Sequence, residues 1–394
     1  MLIILSFRKN LIYLFFSIIS ILLRRIIAII IAEIYSLDNS LIFCLMMFLG
    51  EFIGGLLIYQ RQSSFLVKNK NVNENQIVNQ YKKKKTELKR ADNLFKIVTL
   101  IFFSSFFDFI EFIILHNFIP NIARLSATSS LRLCSITTIT SSLICFLTLK
   151  FKIGKHQIFS LIIMAICLSI IITLEFFFKT EDIEIRSYFI SYLFVFCHFI
   201  FVSFTDVIEK YLADYDFLNP LLILMSEGIF GFITTAFYSI FHNPFKELVI
   251  IYNEFETWKF ILLIVLLILY FIFSLALNVY RILSNVLYSP MTKSLVTYFL
   301  NFTFIIYYFI AEKDFIIEGE KSYFYFIVNL ILSILIDFIA LIYIEIIIVK
   351  ICDLDKDTHE KISYRANQKE IEMITNRIED DDYFFNEDEK ENFE

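Results

Sequence analysis

The sequence predicts an all-α polytopic membrane protein of about ten transmembrane helices, arranged as two inverted five-helix repeats. Three observations carry that expectation. The 394-residue chain is 58% hydrophobic, with mean hydropathy +0.70, 48 Phe and 21 Tyr. A soluble domain would have nowhere to put so much apolar surface. Apolar runs recur at the length a bilayer requires, roughly 20 residues, and short motifs of the first half return in order in the second.

Reading the apolar runs against turn and charge signals gives spans at roughly 10–32, 40–60, 95–116, 125–149, 157–178, 188–208, 219–241, 259–281, 290–311 and 323–349. The first has no small-residue cleavage site and reads as a signal anchor. Its Arg24 and Arg25 fall near mid-membrane unless the helix shifts, tilts or snorkels them outward. Between the second and third spans lies a basic loop, 61–94, and the stretch from Lys68 to Lys96 holds nine Lys or Arg. With Lys150, Lys152 and Lys155 it marks the cytoplasmic side. The alternate loops are acidic, as at Glu181, Asp182 and Glu184, and again at Glu312, Asp314, Glu318 and Glu320. An even number of crossings puts both termini in the cytoplasm. Residues 351–394 form an acidic tail that reads as disordered, with a candidate amphipathic helix around Glu370 to Glu379.

The fourth span is the most informative. SATSSLRLCSITTITSSLICFLTL (126–149) carries eleven Ser or Thr hydroxyls and Arg132, whereas the fifth, IFSLIIMAICLSIIITLEFFF, is apolar throughout. Hydroxyls and a guanidinium inside hydrocarbon need neighbouring helices or water to receive them, so an internal pathway is expected there.

A repeat is visible in MFLGEFIGG (47–55) and ILMSEGIFG (223–231), which share Glu-x-x-x-Gly, and in TSSL (128–131) and TKSL (292–295). The counterparts lie five spans apart. Because five is odd, the second half (186–350) is inverted relative to the first (1–180), a recurrent transporter design.

These stretches resemble the drug/metabolite transporter superfamily, in particular the nucleotide-sugar-transporter-like solute carriers of family 35. The resemblance lies in MMFLGEFIGGLLIY, in SSLRLCSITTITSSLICFLTLKFKIGKHQIFSLIIM, in DVIEKYLADYDFLNPLLILMSEGIFGF, and in NVYRILSNVLYSPMTKSL with IALIYIEIII. It covers roughly residues 40–350. Leu133, Phe159 and Ile344 depart from the family's usual glycine, tryptophan and asparagine. The resemblance implies a ten-helix carrier with a central cavity lined partly by the fourth and ninth spans and opened alternately to each side.

Candidate substrate contacts are Arg132, Thr128 and Ser135 on the fourth span, Lys293, Ser294 and Thr297 on the ninth, and Arg281 near the end of the eighth. Guanidinium groups can hold a phosphate or carboxylate in a bidentate fork. Arg132 could equally pair with Asp108 or Glu111, and Arg281 could anchor the interface. Candidate coupling or gating residues are Asp108 and Glu111, three apart on one helix face, the repeat-related Glu51 and Glu227, and Asp337. Asp337 stands alone in the tenth span and could instead pair with Arg281. His198 is expected to pack rather than relay protons, and Glu345 to serve packing or a homodimer contact.

Several chemistries are not expected. The six cysteines include no CxxC pair, which argues against a metal site or a disulfide framework. HExxH, GxxxxGK[ST] and GxSxG are absent from the sequence. No enzyme activity, cofactor or nucleic-acid partner is therefore expected. The reading is a secondary transporter of an endomembrane (Golgi, endoplasmic reticulum, vacuole or lysosome). Its cargo would be a small, polar, anionic metabolite, with nucleotide sugars the leading class. The alternatives are a carrier of amino acids, peptides or organic cations, resembling the chloroquine-resistance-transporter branch, or a non-transporting membrane scaffold.

Overall fold

The computed structural model describes residues 3–5, 12–35, 37, 40–68, 91–114, 133, 135–177, 185–242, 245–287, 290, 293, 320–350, 354–358 and 361. Helices dominate: α1 (Ile12–Tyr35), α2 (Ser40–Lys68), α3 (Ala91–Ile113), α4 (Ser135–Thr148), α5 (Lys155–Phe177), α6 (Ile185–Asp214), α7 (Pro220–Phe241), a short α8 (Lys246–Glu254), α9 (Thr257–Leu287) and α10 (Glu320–Tyr343). Six of them, α1, α2, α5, α6, α7 and α9, are long and apolar enough to cross a bilayer. The 23 residues of α3 reach about 35 Å, but this helix carries Asp108 and Glu111. The chain is an integral, multi-pass membrane protein.

Local sequence explains the helix starts. At α7, Asn219 Oδ1 accepts from Leu221 N (2.9 Å) and Pro220 takes the first helical position, where its missing N–H costs nothing. At α5, Gly154 N–H donates to Gln157 Oε1 (2.9 Å), the returning half of a capping box.

Side-chain exposure separates a lipid face from a packed one. On α5, Ile158, Ile162, Ile166 and Ile170 are exposed at every fourth position, while Ser160, Met164, Cys167 and Ile171 are buried. The buried face meets α10, and together with α4 and α6 these helices enclose one apolar core; α1, α2 and α9 enclose another. The most extensive helix contact joins α2 to α7, and glycine permits it. A Cβ on Gly228 would lie 2.7 Å from Phe48 O, and one on Gly55 would lie 2.8 Å from Leu221 O. Small residues at such seams let backbones meet where no hydrophobic effect drives helices together. Elsewhere α1 packs on α9, α3 on α6, α2 on α9, α7 on α3, and α4 on α6.

Several expected boundaries change. The tenth apolar run does not stay helical to 349: α10 ends at Tyr343, Glu345 turns the backbone with φ 62°, and Ile347–Val349 form strand β2. The β-branched Ile-Ile-Val run suits an extended chain, and it pairs antiparallel with β1 (Ile3–Leu5), Ile3 opposite Val349. The flanks of α1 and α10 therefore lie at the same end of the bundle. Within the tail, Leu354–Asp357 form a 3-10 turn and Asp357 Oδ2 accepts from Lys155 N (3.4 Å) at the start of α5, while the candidate helix around Glu370 to Glu379 lies outside the described residues. The basic loop is shorter than 61–94, because α2 continues to Lys68 and α3 begins at Ala91. Of the fourth span, the described helix covers Ser135–Thr148, and Thr128 and Arg132 lie outside the described residues. So do Ser294 and Thr297, with most of the ninth span.

Candidate functional site

Intramembrane charge concentrates where α2, α3, α6 and α9 meet. Its centre is Arg281 of α9, whose Nη2 lies 2.9 Å from Glu209 Oε1 and 3.5 Å from Glu51 Oε1, and whose Nη1 lies 3.6 Å from Asp108 Oδ2. One guanidinium thus ties three other helices, and its charge is met from within the protein. Asn285, one turn further along α9, donates to Glu209 Oε2 (2.6 Å) and Asp206 O (2.8 Å). Asp206 Oδ1 in turn receives Lys293 Nζ at 2.5 Å.

Beside this network is a cavity of about 150 Å³. Its charged wall comprises Arg24, Arg281 and Lys293 on one hand and Glu51, Asp108 and Glu111 on the other; Ser17 and Asn278 add neutral polar groups. Glu111 Oε1 lies 3.5 Å from His198 Nδ1 of α6. Glu227, which shares the Glu-x-x-x-Gly pattern with Glu51, is fully buried but does not border the cavity. Its Oε1 accepts from Ser104 Oγ (2.5 Å), and its backbone carbonyl accepts from Ser105 Oγ (2.8 Å).

Among the expected site residues, the structure brings together Glu51, Asp108, Glu111, Arg281 and Lys293. Ser135 is buried in α4, its hydroxyl has no hydrogen-bond partner among the described residues, and it is not part of this cavity's wall. Ser141 Oγ is likewise without a partner among the described residues, whereas Thr140, Ser142 and Thr148 bond to carbonyls of their own helix. Thr140 Oγ1 meets Ser203 Oγ of α6 at 2.5 Å, and Ser142 Oγ meets Tyr343 Oη of α10 at 3.1 Å. Within the described part of the fourth span, hydroxyls therefore act as helix-packing contacts. Asp337 is not a partner of Arg281; it sits on α10, which packs on α5 away from the charged centre.

Sequence reasoning missed three members. Asp206, Glu209 and Asn285 are all buried in the network. A signal for two of them exists: Asp206-Val-Ile-Glu209 on α6 repeats the pattern of Asp108-Phe-Ile-Glu111 on α3, the helix it packs against. Arg24, expected near mid-membrane unless the helix shifts, borders the cavity with its guanidinium 5.9 Å from the centre of the Tyr270 ring. Among the described residues no group of His, Cys, Asp and Glu side chains has the arrangement to hold a metal ion.

The chain matches no protein-family model and no curated protein.

Proposed function

We propose that this protein is a secondary transporter that moves a small polar metabolite across a membrane by alternating access, without enzymatic chemistry. The observation that carries the reading is the cavity of about 150 Å³ between α1, α2, α3, α6 and α9, with ionisable side chains of both signs on its wall. Such groups are rare and costly in a membrane interior, and they mark substrate or ion pathways.

The packing pattern supports two inverted five-helix repeats, with α1 to α5 as the first, α6 and α7 opening the second, and α9 and α10 as its third and last spans. Exchanging the halves turns the α1 contact with α9 into the α6 contact with α3. The α2 contact with α9 becomes that of α7 with α3, while α2 with α7 and α5 with α10 map onto themselves. The positive stretches around 68–96 and 150–155 support a cytoplasmic placement of both termini, and the carrier is assigned to an endomembrane.

Of the two substrate classes, amino acids, peptides or organic cations are favoured over anionic nucleotide sugars. Arg281, one of the proposed anion contacts, is already held by three carboxylates. The volume is also well below the roughly 300–1,000 Å³ of sites for drug-sized ligands. The test is counterflow of labelled solutes from a panel of amino acids, organic cations and nucleotide sugars into proteoliposomes holding the purified chain. Uptake of at least one solute, lost in Glu111→Gln, is expected. If no solute moves while deletion of residues 353–394 abolishes the cellular phenotype, the scaffold reading replaces this one.

A further inference from the structure

Among the described residues, two groups on the cavity wall have no permanent charge of opposite sign within ion-pair distance. Arg281 is surrounded by Glu51, Asp108 and Glu209, and Lys293 is held by Asp206. Arg24, by contrast, has no carboxylate within ion-pair distance among the described residues, and its neighbour on α9 is the face of Tyr270. On the acidic side, Glu51 and Asp108 share Arg281. Glu111 faces His198, which is cationic only when protonated, and the Glu111 side chain remains 25% exposed. Arg24 and Glu111 border the same cavity without an ion pair between them.

We propose that this cavity is an amino-acid site, in which Arg24 holds the carboxylate and Glu111 the ammonium of a small zwitterion seated between them. The inference rests on the carrier reading above and names its substrate class. A ligand with one charge satisfies one wall group and leaves the other uncompensated in hydrocarbon, where that is expensive. A zwitterion answers both and brings no net charge. The carboxylate suits a guanidinium fork, and an ammonium has three donors to place. Glu111 takes one of them. The volume of about 150 Å³ lies well below that of sites for drug-sized ligands and suits a small amino acid better than a nucleotide.

The test uses the full chain in nanodiscs and measures affinity by thermal shift for the twenty proteinogenic amino acids, ethylamine, propionate and uridine monophosphate. At least one neutral amino acid is expected to bind, with ethylamine and propionate each weaker by about tenfold or more, the value of a charged hydrogen bond. Arg24→Gln should weaken the amino acid by about tenfold or more while sparing ethylamine, and Arg24→Lys should restore part of the loss. Glu111→Gln should weaken the amino acid and ethylamine and spare propionate. The proposal is overturned if ethylamine matches the amino acid, if Arg24→Gln weakens every probe alike, or if only uridine monophosphate binds. In those cases counterflow of some solute still leaves the carrier reading standing; absence of all binding and all counterflow removes both.

Discussion

Glu51 and Glu227 occupy the same Glu-x-x-x-Gly motif on α2 and α7, and both are buried to 1% exposure or less, yet their surroundings diverge. The Glu51 side opens on the cavity and faces Arg281. The Glu227 side is closed by the hydroxyls of Ser104 and Ser105. On both helices glycines of this stretch, Gly55 and Gly228, let the backbones of α2 and α7 meet, while the role of the carboxylate is left to whatever α3 and α9 place opposite it.

The largest effect should come from the charged side. Arg281→Met leaves Glu51, Asp108 and Glu209 without their cation, and loss of one partner from a buried ion pair typically costs about 3–5 kcal/mol. The measurable outcome is loss of monodisperse folded protein on detergent extraction. A cycle with Glu209→Gln should recover part of that loss, because the two changes act on one network. Full recovery of stability in Arg281→Met alone would mean that the centre is not held by charge.

Next comes the seam between α2 and α7. Gly228→Ala pushes a methyl group into the α2 backbone at Phe48 and Phe52, an overpacking expected to cost about 1–3 kcal/mol. The Gly55→Ala change should behave alike, since its Cβ meets α7 backbone. Apparent Tm in matched detergent checks both, and an unchanged Tm in either variant would mean that the seam does not depend on close backbone approach there.

The glutamates themselves sharpen the contrast. Glu227→Gln keeps an acceptor for Ser104, so a stability change of about 1 kcal/mol with uptake retained is expected. Glu51→Gln removes charge from the cavity wall and should alter uptake instead. Similar uptake defects in the two variants would erase the distinction drawn here. The smallest effect belongs to Lys96, whose side chain is 46% exposed and lies 3.7 Å from Asp216. Lys96→Met should shift stability by only about 0–1 kcal/mol.

Much of the scaffold was legible in the sequence because the bilayer imposes one length and one composition on every crossing. The fifth run, expected at 157–178, is the helix Lys155–Phe177, and the seventh, expected at 219–241, is Pro220–Phe241. The end of α10 was hidden by its own hydrophobicity, since ALIYIEIIIV reads as an uninterrupted span until Glu345 turns with φ 62°. The site was legible one residue at a time. Asp108, Glu111 and Arg281 stood out as charges inside apolar runs, but which acid meets which base depends on helices far apart in sequence. The placement of Arg24, near mid-membrane unless the helix shifts or tilts, stayed open in the sequence because only the packing of α1 on α9 supplies the wall that receives it.

The strand pair β1–β2 sets a condition on biogenesis. Synthesis proceeds from the N-terminus, so Ile3–Leu5 emerge first and find no partner until Ile347–Val349 leave the ribosome, after every described crossing has been made. Until then a newly made edge with free backbone donors stands exposed, the kind of edge that recruits foreign strands. Closure of that small ladder thus comes only after translation has passed the described crossings, and nascent chains arrested before residue 347 should be held longer by chaperones than chains arrested after it.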